Sequence, residues 1–231
     1  MGLMQEFKKI VDVLEPDSTM RMFSYPDAKT GVLKQWDLEE THRRVSQLQV
    51  DHYVPEEIRS YFNSLKNVLL YSYFHYGFVP ISAFLATTAV EMALRTLYPW
   101  KPGPGKNALD KRSFHSLFKR AIDEGKVREE DFLWLPEVRE QKKRMWDEYE
   151  QATGFRVARS SERYERALLR SMVRMRNYFA HPSSGHTLIT FEMAYGMIRP
   201  CADIINQLFR TEGGADRSGR QVTIAPANRR L

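Results

Sequence analysis

From Pro55 onward, apolar side chains recur at the three- and four-residue spacing of helices. Ile58, Phe62, Leu65, Leu69 and Tyr73 mark the first stripe. Pro55 precedes it at a first helical turn, with Glu56 and Glu57 following where acids suit the helix dipole. Gly77 and Pro80 interrupt the pattern, and a second helix is expected over Ile81–Tyr98. Trp100–Arg112, with Pro102, Gly103 and Pro104 in a row, reads as a basic loop. Ser113 is placed to cap a third helix that Gly125 ends. A fourth is expected from Pro136 to about Ala152, stopped by Gly154, and a fifth from about Ser161 to Ala180. A last helix covers roughly Thr187–Arg210, with a bend at Pro200.

The flanks are patterned differently. Glu6–Leu14 allows a short helix, and Met20–Trp36, with Pro26, Asp27 and Gly31, reads as turns around a small hairpin. Asp37 is placed to cap a helix to about Gln49. Beyond Thr211 the chain is rich in Gly, Arg and Ser with little to bury, so disorder is expected there. Long helices joined by short loops describe an all-α, antiparallel helical bundle over 51–210. An irregular extension precedes it over 1–50, and a basic tail follows over 211–231.

With 231 residues and 42% hydrophobic side chains, the chain has ample material for one packed domain with extensions. The single cysteine, Cys201, excludes an internal disulfide framework and fits a reducing compartment. The start MGLMQEFKK lacks the apolar core of a signal peptide, and Glu6 stands where a myristoylation site wants Ser or Thr. The most apolar stretch, Ile81–Leu97, contains Thr87, Thr88, Glu91 and Arg95, which suits a buried core helix better than a membrane span. A cytoplasmic protein without membrane attachment is expected.

The net charge of +6 is concentrated. Arginines 156, 159, 163, 166, 170, 174 and 176 fall between Phe155 and Arg176 with only Glu162 and Glu165, so the segment alone carries +5. Arginine favours planar, bidentate contacts to phosphate. On a helical wheel, Leu168, Leu169, Met172, Val173, Met175, Phe179 and Ala180 share an apolar face, and Arg176 falls in its middle. Arg163, Arg166, Arg170, Arg174 and Asn177 fall on the polar side. That stripe is either a solvated face or an RNA-binding one. A charge aimed at a core needs a carboxylate or a ligand. Glu91, the only acid in Ile81–Leu97, is the obvious partner for Arg176, and Arg95 four residues on is its alternative mate.

The helix ends in Arg176-Asn177-Tyr178-Phe179-Ala180-His181-Pro182. This Arg-x-x-x-x-His motif resembles the signature of the HEPN superfamily of helical domains, many of which are ribonucleases in toxin–antitoxin and anti-phage systems. The resemblance covers roughly Pro55–Arg210. Ser183 stands where the variant that continues His-x-Tyr has its tyrosine. The resemblance implies a catalytic set of Arg176, His181, Asn177 and Glu91. It also implies a homodimer with both motifs facing a shared cleft, and an antitoxin or other defence-system protein as a further partner.

The residue chemistry agrees with that reading. The helix dipole favours an imidazolium at His181 while Arg176 opposes it, which holds the proton near neutral pH. In RNA cleavage the 2′-hydroxyl attacks the adjacent phosphate, leaving a cyclic phosphate and a 5′-hydroxyl. The step needs a proton-transfer group and a cation on the phosphorane. His181 and Arg176 fit these roles, Asn177 can orient the phosphate or the imidazole, and no metal or other cofactor is called for. Positions five apart on an ideal helix point about 140° from each other. The two side chains therefore converge only if the last turn unwinds before Pro182 or a second subunit completes the site. The alternatives are a non-catalytic module binding RNA or protein, and an accessory subunit of a defence or restriction system.

Other motifs fail. Gly103-Pro104-Gly105-Lys106 lacks the Ser or Thr of a phosphate loop, since Asn107 follows, and Trp100 replaces the upstream glycine. His181 and His186 lack metal-ligand spacing on a helix, and one cysteine speaks against zinc.

Overall fold

Three helix starts are fixed by an N-cap side chain that satisfies an otherwise unpaired backbone donor. Asp37 accepts from the Glu40 N–H at the head of α1 (Leu38–Ser46), and Ser113 from the Ser116 N–H at the head of α4 (Phe114–Asp123). Thr190 accepts from the Met193 N–H at the head of α7 (Phe191–Phe209). The remaining helices are α2 (Glu56–Tyr71), α3 (Phe78–Leu97), α5 (Leu135–Thr153) and α6 (Tyr164–Ala180). Gly125 and Gly154, at φ +69° and +73°, take the left-handed conformation that ends α4 and α5. The computed structural model describes residues 7–27, 30–100, 112–159, 161–180 and 189–210, the last two of α6 by backbone only.

The fold is an all-α bundle with one antiparallel hairpin, β1 (Ser24–Pro26) with β2 (Leu33–Gln35), in register Tyr25 to Lys34. Its centre is α3, which packs most extensively against α7 and α2. Ala83, Ala86, Ala89 and Ala93 are fully buried, and such small side chains let neighbouring backbones approach closely. Phe62, Leu65 and Leu69 from α2 and Ile198, Cys201, Ile204 and Ile205 from α7 fill the space between. By length and composition α3 could cross a membrane, but half of its most apolar window is buried, and here α2 and α7 cover it.

The N-terminal segment joins this core, with Met20, Trp36, Val45 and Leu48 in the same buried cluster. The Trp36 ring lies 4.8 Å from that of Phe191, and its indole N–H donates to Thr41 at 2.8 Å. Buried Asp17 accepts from the backbone N–H groups of Thr19 and Tyr76 at 2.8 and 2.9 Å, while its own N–H donates to the Tyr73 carbonyl. The extension is thereby clipped to the α2–α3 connection.

Several sequence expectations need correcting. The described part of Glu6–Leu14 holds only a 3-10 turn, Ile10–Asp12, with Phe7, Ile10, Val11 and Leu14 exposed. No described residue covers its apolar side, and an isolated short helix is marginal in water. Pro80 does not break α3 but lies in its first turn, where a missing N–H has no consequence. Consequently α3 starts three residues earlier than the pattern predicts. α6 starts at Tyr164, later than Ser161, because the Glu129 carboxylate accepts from the Tyr164 N–H at 2.6 Å. α7 starts at Phe191 rather than near Thr187, and it runs past Pro200 as expected. The expected disorder beyond Thr211 and the loop over 101–111 lie outside the described residues.

One half-buried acid on α7 gives a pH-dependent expectation. Asp203 accepts from the Trp134 indole N–H at 2.6 Å, and burial pushes its carboxyl above the ordinary carboxylate range. A raised folded pKa means the folded protein holds the proton more tightly than the unfolded chain does. The charge penalty is therefore absent well below the unfolded pKa and full above the folded one. Asp203→Asn keeps an acceptor for Trp134, so it is expected to raise the thermal midpoint by a few degrees at neutral pH. The gain should vanish in acid; calorimetry at several pH values checks this.

Candidate functional site

α6 carries the site, and its residue types make it a good helix: leucine, methionine, alanine and arginine dominate. Leu169 and Met172 are buried while Leu168, Val173 and Met175 are half-buried, so the apolar face packs inward against α3 and α4. Arg163, Arg166, Arg170, Arg174 and Asn177 are all exposed, as the wheel predicts.

Arg176 lies one turn beyond buried Met172, where this face runs out to the rim of the bundle. Its side chain is 40% exposed, so it does not sit in the interior as the wheel implied. It does reach Glu91, with Nη2 at 2.9 Å from Oε2. The other carboxylate oxygen, Oε1, accepts from Arg95 Nη2 at 2.8 Å and Nε at 3.1 Å. Arg95 Nη2 also donates to the Arg112 carbonyl at 3.3 Å. Both expected pairings of Glu91 thus form together. Arg95 was expected only as an alternative mate, and its i,i+4 spacing was the signal that it belongs to the cluster.

The electrostatic balance of this trio matters more than its contacts. One carboxylate, 15% exposed, is shared by two guanidiniums that are 37% and 40% exposed. Glu91 fixes one edge of Arg176, and the remaining N–H donors of that guanidinium are free to meet an anion.

His181 lies outside the described residues, as does His186. α6 keeps its helical backbone through Ala180, so the last turn ahead of His181 is not unwound as one of the two expected routes to convergence required.

The arginine stripe is divided. Arg163 meets Glu130 at 3.2 Å and buried Glu165 at 2.8 Å, and Arg170 is bound by Glu162. Arg159, upstream, meets Asp147 at 2.6 Å. Arg166 and Arg174 have no ion pair among the described residues and stand exposed on one face with Asn177. Two of the four expected RNA-binding arginines are therefore unencumbered.

Cys201 is buried in α7, its thiol directed at the Met197 carbonyl at 3.2 Å, and burial pushes the thiol far above its ordinary pKa. It is a small core residue. Among the described residues, no three His, Cys, Asp or Glu side chains come together to hold a metal ion. Comparison with known proteins adds nothing further: no family model, curated protein or solved structure matches this chain.

Proposed function

We propose that the protein is a HEPN-like endoribonuclease that cleaves single-stranded RNA without a metal ion. The observation that carries this reading is the Glu91–Arg95–Arg176 cluster. It presents a fixed, partly exposed guanidinium five residues ahead of a histidine. Arg176 binds the scissile phosphate and stabilises the charge that builds on it. His181 transfers the proton, Asn177 orients the phosphate or the imidazole, and Glu91 positions Arg176. Two subunits contribute to a composite site, which meets the 140° divergence of the two positions on one helix. The setting is cytoplasmic, in a toxin or defence system with an inhibitory or effector protein as partner.

The direct test is purified full-length protein with single-stranded RNA in excess EDTA. Fragments ending in a cyclic phosphate, with a 5′-hydroxyl on the other side of the break, are expected. DNA of the same sequence should be spared because it lacks the attacking 2′-hydroxyl. Inactivity against diverse RNAs, together with a monomer in solution, would favour the non-catalytic module. Arg176 held by Glu91 also serves as a brace between α3 and α6, which that second reading requires.

The free part of the stripe gives its own expectation. Phosphate contacts carry affinity but no sequence preference, and on a single strand each contributes about 0.7 to the slope of log K against log salt. Replacing Arg166 and Arg174 together with alanine should flatten that slope by about 1.4 units. Arg163→Ala and Arg170→Ala should change it less, since both cations already have carboxylate partners. An unaltered slope in the Arg166/Arg174 double variant returns the stripe to a solvated face.

A further inference from the structure

Pro99 decides where Trp100 goes. A residue ahead of a proline is driven out of the α region, so α3 closes at Leu97 and Tyr98 turns away at φ −116° and ψ 74°. Trp100 is carried off the helix with 41% of its surface in water. The other tryptophans are sheltered. Trp36 is buried in the core, Trp134 donates to Asp203 and carries the Arg199 guanidinium, and Trp146 is half-buried on α5.

A chain of contacts ties the exposed indole to the arginine cluster. The Arg112 guanidinium carbon lies 5.6 Å from the centre of the Trp100 ring. The Arg112 carbonyl accepts from Arg95, which shares Glu91 with Arg176. Along α3 the step from Glu91 to Tyr98 is about 10 Å, which a single strand spans in a few nucleotides. The base of this platform is stiff. Tyr98 is buried, its ring carries Arg120 at 4.3 Å, and its hydroxyl donates to Glu124 at 2.7 Å, which locks the end of α3 to α4. A ring held in place before binding loses little entropy when a ligand packs on it.

We infer that Trp100 stacks a base of the single strand whose scissile phosphate Arg176 holds, a few nucleotides from the cut. Single strands are bound where cations that follow the backbone stand beside aromatic faces that take the bases. Here Arg176 supplies the cation and Trp100 the face. Every base has a π-face, so the contact adds affinity without reading sequence. The place of the stacked base relative to the cut rests on the nuclease reading; the stacking itself does not.

The test uses the full chain and a single-stranded DNA probe of about 12 nucleotides, which keeps the bases but lacks the attacking 2′-hydroxyl. Binding is expected to quench tryptophan emission, and Trp100→Phe to remove that quench. Trp100→Leu, which has no ring, should weaken binding about 5- to 100-fold, and Trp100→Phe should weaken it less. No charge is lost, so the slope of log K against log salt should match the wild type, unlike the loss of a phosphate contact. Thermal midpoints show that both variants are folded. With RNA as substrate, Trp100→Leu should raise KM at unchanged kcat. Quenching that persists in Trp100→Phe overturns the inference, as does wild-type affinity in Trp100→Leu. A wild type that binds no single strand overturns it together with the nuclease reading. If the probe is bound and quenched through Trp100 while RNA stays intact, stacking stands and the nuclease reading falls. RNA cleaved by wild type and Trp100→Leu with the same KM sinks the stacking alone.

Discussion

His181→Ala is expected to abolish RNA cleavage while leaving the fold and its thermal midpoint unchanged. The residue follows α6 in sequence, and proton transfer is the role proposed for it. That function alone is worth on the order of 10²–10⁴ in rate. Arg176→Ala should reduce cleavage comparably, because a fixed cation at the phosphorane contributes a term of similar size. It differs in also stripping Glu91 of one of its two guanidinium partners, so its midpoint should fall. Undiminished cleavage by folded His181→Ala protein excludes His181 as the catalytic group. Loss of activity in Arg176→Ala beyond the unfolded fraction assigns that arginine to chemistry and not to bracing.

The second large effect is expected at Glu91. Its carboxylate holds two guanidiniums, and alanine there leaves Arg95 and Arg176 without the carboxylate they share. Exposed pairs contribute about 0–1 kcal/mol and fully buried ones several when one partner is removed. A carboxylate this sheltered, paired with half-exposed arginines, should fall between, at about 1–2 kcal/mol. If Glu91 positions Arg176 for phosphate, Glu91→Ala should also lower kcat at temperatures where the protein is fully folded. Glu91→Gln, which keeps one acceptor, should recover part of that loss. A merely structural brace predicts a lower midpoint with kcat per folded molecule unchanged. A double-mutant cycle with Arg176→Ala isolates the pair, and a coupling near zero would remove Glu91 from the site.

The bundle was legible in the sequence because its signals are local. The α2 stripe, the caps at Asp37 and Ser113, and the glycines after α4 and α5 each act within a few residues. The errors arose where distant residues decide. Glu129 sets the start of α6 from 35 positions away, and no periodicity encodes that contact. The 3-10 turn at Ile10–Asp12 has helical spacing, but no described residue covers it, which only the tertiary structure determines. Pro80 was read as a breaker because a proline in a first turn and one that ends a helix look alike in one dimension.

At the site, the pairing of Arg176 with Glu91 was readable, since a lone charge on each of two apolar faces must be matched. Its location at the rim was not, because the wheel gives direction but not how far the neighbouring helix extends. The sharing of Glu91 with Arg95 was hidden for a related reason: two partners were weighed as rivals, although a carboxylate has two oxygens. The uneven availability of the arginine stripe depends on Glu130, Glu162 and Glu165, and only Glu130 lies far away in sequence.

Cys201 is the chain's only sulfhydryl, and it is sealed within α7 at the centre of the core. An aromatic disulfide reagent can reach it only when α7 lifts away from α3. Its modification rate under native conditions therefore counts openings of the principal helix–helix interface, with no introduced label and no competing background from other thiols. If α7 opens only when the whole bundle unfolds, the rate will track global stability across a denaturant series. If the helix detaches separately, the rate will level off at low denaturant and reveal a breathing unit that unfolding curves do not resolve.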